Sequence, residues 1–216
     1  MVDVRDENDA TLLHVAAKSD NLILVRVLIE KEIEGWVHSG GVLLHEAIQQ
    51  SSTLPVKEII TLVDLLLKQG VNVDVRNEHQ ATPLHVAAKS DNLVLVCHLV
   101  AKGADLEAEN MHRATPLHNA SREGFREIVS YLIFAGSNID ALTDDEDTPL
   151  HQAVRKNKVD NVKTLILAGA NTQIKNLRKE YARRVQCSPQ TKLAYHNALF
   201  EKEERDSDNK NKSIID

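Results

Sequence analysis

The sequence predicts an all-α solenoid of stacked helix–loop–helix bricks. Three observations predict it. A four-residue string recurs five times at near-constant spacing, each copy is followed by two apolar helical stretches, and four of the second stretches end on glycine. Self-similarity at a fixed period of about 20–50 residues marks a stacked repeat. Aromatic residues are only 3% of the chain, so a core of Leu, Ile, Val and Ala is required, which suits close-packed helices.

The strings are Thr11-Leu12-Leu13-His14, Val42-Leu43-Leu44-His45, Thr82-Pro83-Leu84-His85, Thr115-Pro116-Leu117-His118 and Thr148-Pro149-Leu150-His151, with histidines 31, 40, 33 and 33 residues apart. Thr at an N-cap accepts a backbone N–H, and Pro at the first helical position sacrifices no needed donor. Leu points inward, and small residues such as Ala87 and Ala88 let two helices approach closely. A longer apolar helix follows, as in Leu93 to Val100. Gly70, Gly103, Gly136 and Gly169 then permit positive φ at its end. No brick buries its apolar face alone, so stacking makes one continuous core.

These strings, at this period, resemble the ankyrin repeat. The resemblance covers about residues 2–174, with a weaker unit beyond. It implies an ankyrin-repeat solenoid with β-hairpin loops: repeats at 1–32, 33–72, 73–105, 106–138 and 139–171, a degenerate capping repeat at 172–204, and a polar, disordered tail at 205–216. The family places glycine five residues before the motif histidine, at the hairpin turn. Only Gly40 does so here; Asp9, Gln80, Arg113 and Glu146 stand in the other copies, so less regular hairpins are expected. The resemblance gives the motif histidines His14, His45, His85, His118 and His151 a structural role, tying helix to adjacent loop.

Individual elements depart from the pattern. Residues 2–31 recur at 73–102 with about two-thirds identity, which points to duplication of a two-repeat block. Repeat two is seven residues long in excess of the period, and the surplus falls at Gln50-Ser51-Ser52-Thr53-Leu54-Pro55. Pro55 is expected to start the second helix, Val56 to Lys68. In the last unit Glu180-Tyr181-Ala182-Arg183-Arg184-Val185 replaces the motif, and Ser188-Pro189-Gln190 predicts a final helix running to about Glu203.

Composition excludes several classes. Two cysteines, Cys97 and Cys187, make neither a disulfide framework nor a four-thiolate zinc site. The start is acidic rather than signal-like, and no apolar run reaches the roughly 20 residues that span a bilayer. The expected setting is cytoplasmic, or nuclear, or the cytosol of a host. With 26 basic and 32 acidic side chains the net charge is -6, which disfavours non-specific nucleic-acid binding.

Chemistry-bearing clusters resolve into ordinary ones. The motif histidines recur once per repeat, about 10 Å apart, too far to share an ion bound at about 2 Å. Cys97 and His98 point about 100° apart on a helix and do not face each other. Asp144-Asp145-Glu146-Asp147 lacks the glycine and distal Glu of a calcium loop and is expected as a solvated turn or an acidic contact. Lys175, Arg178, Lys179, Arg183 and Arg184 form a basic cluster near Arg155, Lys156 and Lys158. No glycine-rich phosphate loop, nucleophile elbow or metal motif is present, so no enzyme, no cofactor, no metal and no small-molecule substrate are expected.

The resemblance implies a protein partner bound on the concave face formed by hairpin tips and first-helix ends. Carried over copy by copy, that face offers Arg5, Lys18 and Ser19 in repeat one, and Trp36, His38 and Gln49 in repeat two. Repeat three offers Arg76, Glu78, His79 and Lys89; repeat four, Glu109, Met111, His112 and Arg122; repeat five, Leu142, Asp144, Asp145 and Arg155. Trp36 is the sole tryptophan, and either anchors the partner or fills its own loop. The function so implied is a monomeric, non-catalytic regulator, adaptor or inhibitor. Two alternatives stand beside it: a pathogen or viral effector aimed at a host protein, and a nucleic-acid or anionic-lipid binder using the C-terminal basic cluster.

Overall fold

A computed structural model describes residues 37–49 and 55–212. They fall in two compact units, one ending at Ala108 and the other starting at Glu109. Arg5, His14, Lys18, Ser19 and Trp36 lie outside the described residues, as does the inserted stretch 50–54.

The first unit holds α1 (Val37–Gln49), α2 (Val56–Lys68), α3 (Pro83–Ala87) and α4 (Leu93–Ala101). α1 packs on α2 and α3, α3 on α4, and α2 on α4, so first helices form one layer and second helices another. Leu44, Ile48, Ile59, Val63, Leu66, Leu84, Leu95 and Leu99 are all fully buried in the core of this unit. Each such side chain contributes about 1.5–3 kcal/mol by leaving water. The helix predicted from Val56 to Lys68 spans those residues, with Pro55 as its N-cap.

The second unit repeats the scheme. It holds α5 (Pro116–Glu123), α6 (Arg126–Phe134), α7 (Pro149–Arg155), α8 (Val159–Leu167), a 3-10 turn η1 (Ala182–Arg184) and α9 (Pro189–Lys212). α5 packs on α7, α6 on α8, α7 on η1 and α8 on α9.

Proline sets where first helices begin. The residue before Pro is excluded from helical backbone, and Thr82, Thr115 and Thr148 accordingly have ψ of 166°, 167° and 167°. Repeat two has Leu43 where the other described copies have the motif Pro, and α1 spans Val37–Gln49 through that position. Gly40, expected at a hairpin turn, therefore sits buried inside α1, and His38 lies on a helix instead of a loop.

The loops keep one geometry. Among the described residues no strand forms, only an isolated antiparallel bridge between Lys175 and Tyr181. The irregularity expected from missing glycines is absent: Gln80, Arg113, Glu146 and Lys179 all adopt the left-handed conformation, with φ of 56°, 54°, 55° and 59°. An asparagine three residues earlier holds each turn in three of the four. Asn77 Oδ1 accepts the His79 and Ala81 amides at 3.0 Å, Asn110 Oδ1 those of His112 and Ala114, and Asn176 Oδ1 those of Arg178 and Glu180. Thr143 fills the role in the fourth, its hydroxyl accepting the Asp147 amide at 3.2 Å. One or two such bonds help to offset a left-handed residue's cost of about 1–2 kcal/mol. The glycines closing the second helices take positive φ as expected, Gly70 at 90° and Gly136 at 103° among them.

The final helix is longer than predicted. α9 begins at Pro189, with Ser188 Oγ accepting the Thr191 amide at 3.2 Å, and runs to Lys212, taking in residues expected as a disordered tail. Its polar second half is held by i,i+4 bonds: Arg205 to Glu201 at 2.8 Å and Ser207 Oγ to the Glu203 carbonyl at 2.8 Å. Lys163 Nζ, 3.1 Å from Glu201, ties it to α8.

Candidate protein interface

The motif histidines are the frame on which the loops hang. In the Thr-Pro copies His Nδ1 accepts the N-cap threonine amide, at 3.1 Å for His85, 3.1 Å for His118 and 3.2 Å for His151. With Nδ1 accepting, Nε2 carries the hydrogen and donates to the following loop: His118 to the Asp147 carbonyl at 3.0 Å and His151 to the Glu180 carbonyl at 3.1 Å. Burial holds the His151 imidazole below the usual histidine range, against the pull of the Glu180 carbonyl. His45 has no Thr-Pro before it. Its Nδ1 faces the Gly41 carbonyl at 2.8 Å, one helical turn back, yet Nε2 still reaches the next loop at the Ala81 carbonyl, 2.9 Å away.

In the first unit Arg76, Glu78 and His79 share one loop tip. Arg76 Nη1 bends back to the Gln80 carbonyl at 3.0 Å, while Glu78 and His79 stand largely in solvent. Gln49 closes α1, and Lys89 lies just beyond α3.

In the second unit the tips form a row. The Asp144 amide donates to the His112 carbonyl at 3.1 Å, setting the fourth and fifth loops side by side. Met111 is 53% exposed and Leu142 36% exposed, and Asp144 and Asp145 are open to water. Glu109 pairs across its own loop with Arg113 at 3.4 Å, and Arg122 pairs with Glu123 at 3.1 Å. The row does not stop at repeat five. The Leu177 amide donates to the Asp145 carbonyl at 2.9 Å, so the sixth loop extends it with Leu177 and Arg178. The sequence pattern marks this loop only by its basic cluster, not as part of the protein-binding row, although Asn176 falls 66 residues, two periods, after Asn110.

Arg155, among the expected contact residues, binds the Asp147 carboxylate with both terminal nitrogens, Nη2 lying 2.9 Å from Oδ1, and its side chain stays 31% exposed. One expectation is corrected. Asp147, read with its neighbours as a solvated or partner-facing acid, is fully buried. Its carboxylate also accepts from Gln152 Nε2 and Asn176 Nδ2, both at 3.0 Å.

Among the described residues no group of three or more His, Cys, Asp or Glu side chains forms a metal site, and no helix is long and apolar enough to cross a membrane. Cys97 and Cys187 are free thiols, and burial pushes the Cys187 thiol up against the opposing charge of Lys192.

Comparison with known proteins agrees with this geometry. A family model described as ankyrin repeats (3 copies) matches residues 95–176, and one described as ankyrin repeats (many copies) matches residues 66–118. Together they cover just over half of the chain. The chain is also similar to the potassium channel AKT2/3 of Arabidopsis thaliana, 33% identical over 95 residues, which is 44% of this chain and 11% of that protein. The chain thus spans only a small part of that relative's length.

Proposed function

The chain belongs to the ankyrin repeat family, whose repeats are generally protein–protein interaction modules, and from that premise we infer that its own loop tips and first-helix ends bind a partner protein. The observation that carries the reading is the tip row of the second unit. There Met111 and Leu142 stand exposed on adjoining loop tips beside His112, Asp144 and Asp145. An apolar anchor ringed by polar groups is what a protein interface uses. The family is typically non-catalytic, and this chain acts as a regulator, adaptor or inhibitor by occupying its partner's surface, in a reducing compartment that suits two free thiols.

The test is affinity capture from lysate with the whole chain as bait, repeated with Met111→Ala and Leu142→Ala. Each variant is expected to weaken the captured complex by on the order of 1–3 kcal/mol. Unchanged affinity in both variants, with unchanged melting, rejects the placement.

A further inference from the structure

The sixth loop carries more positive charge than any other part of the tip row. Residues 172–188 hold Lys175, Arg178, Lys179, Arg183 and Arg184 against the single acid Glu180, in a chain of net charge -6. All five cations are exposed, and among the described residues none is engaged in an ion pair. Lys175 Nζ and Arg183 Cζ lie 4.9 and 4.8 Å from the centre of the Tyr181 ring, which gathers their charge at one place. Leu177, 58% exposed, follows Asn176 and precedes Arg178 on this loop, so an apolar side chain stands within the basic cluster.

The loop beneath this surface is braced by hydrogen bonds. Asn176 is 3% exposed; it holds the turn with Oδ1 and the buried Asp147 with Nδ2, while the Glu180 carbonyl takes the His151 ring. A preformed, unpaired basic surface loses little on binding an anion.

We propose that this loop docks an acidic segment of a protein partner, one with an apolar side chain that covers Leu177. The proposal rests on the interface reading above and gives it a charge. The neighbouring tip argues for a peptide over a polyanion. Asp144 and Asp145 stand exposed on the adjoining loop, joined to this one by the Leu177–Asp145 backbone bond. At a repeat spacing of about 10 Å they lie about one Debye length from the patch, close enough to act on the same bound chain. A nucleic-acid backbone or a lipid surface lays anionic charge over both loops and is repelled by one. A peptide sets its acids against the cations and its neutral or basic residues against the acids.

The experiment selects from a displayed library of random 16-residue peptides on the immobilised full chain, then measures the selected peptides by fluorescence anisotropy. Expected are peptides rich in Asp and Glu with at least one large apolar residue. They should bind R178E/K179E at least tenfold more weakly and L177A severalfold more weakly, with melting unchanged. If the double reversal unfolds the chain, R178Q/K179Q takes its place and must still weaken binding. Selected peptides that are neutral or basic, or that bind the charge variants as well as the wild type, overturn the proposal. So does tenfold tighter binding to a 20-base-pair DNA duplex or to phosphatidylserine vesicles than to the peptides. Loss of peptide binding on Met111→Ala with the charge variants silent refutes the acidic docking alone; silence of every tip variant refutes the interface reading itself.

Discussion

Arg155 and Asp147 form a two-pronged ion pair in which the carboxylate is fully buried and the guanidinium is about two-thirds covered. Asp147 thereby joins three parts of the second unit. Its carboxylate takes Arg155 and Gln152 from α7 and Asn176 from the sixth loop, and its carbonyl takes His118 from α5. The same position in the two preceding loops is alanine, Ala81 and Ala114.

Alanine therefore fits the backbone at 147, and Asp147→Ala isolates the charge effect. The substitution leaves Arg155 half-buried without its anion and strips bonds from Gln152 and Asn176. Urea unfolding should show a loss of about 2–4 kcal/mol. Combined with Arg155→Ala, the double-mutant cycle should give a coupling of about 1–3 kcal/mol. Purely additive losses would show that the two side chains do not work as a pair.

Left-handed residues offer a gain in the opposite direction. Gln80 and Glu146 hold φ of 56° and 55° in turns already braced by Asn77 and Thr143. Gln80→Gly and Glu146→Gly remove the clash of Cβ but add freedom to the unfolded chain. The balance is a stabilisation of about 0.5 kcal/mol each, additive because the loops are separate. Thermal denaturation of the double variant checks it; a lowered melting temperature refutes the strain.

His151 and Asp64 both make stability fall toward acid, in different windows. Burial lowers the folded pKa of His151 beneath its usual value of 6.5. Between the folded and unfolded values the unfolded chain holds more protons, so the His151 contribution is complete above about pH 6.5 and is lost as pH falls through the lower folded value. Burial opposes the Asp64 charge, but hydrogen bonds from Lys102, at 2.7 Å, and His98, at 2.9 Å, prevail and lower its pKa from 3.8. The Asp64 contribution is present above that value and lost in stronger acid. His151→Asn should flatten the stability curve between pH 7.5 and 5.5, and Asp64→Asn should flatten it below pH 4. Curves parallel to the wild type in those windows count against both assignments.

The start of α1 is the simplest rule to test by design. Val42→Thr with Leu43→Pro writes the motif found at Thr82-Pro83 into repeat two. Pro at 43 forbids helical backbone at 42, so the helix should begin at 43 and shed about six residues. Backbone chemical shifts of Gly40 and Gly41 should leave the helical range. If they stay helical, proline is not what sets these helix starts.

Much of the fold is legible in the chain because its causes are local. A proline fixes the residue before it, an N-cap threonine meets the histidine three residues on, and a glycine admits positive φ; each acts within one turn, whatever lies elsewhere. So the helix from Val56 to Lys68 and the starts at Pro83, Pro116 and Pro149 follow from short strings. The interface was legible only as a set of columns, since a 33-residue period says which positions recur and nothing of what each side chain meets.

What the sequence by itself determined is the stacked ankyrin brick, its period and the loops that punctuate it. Tertiary structure alone decided that Asp147 is buried and Arg155 committed to it, and that the sixth loop continues the tip row with Leu177 and a set of unpaired cations. The reason is that a charge is held or exposed according to partners that arrive from neighbouring repeats. Asp147 receives Asn176 across 29 residues and His118 across 29 more, and no local pattern records that meeting.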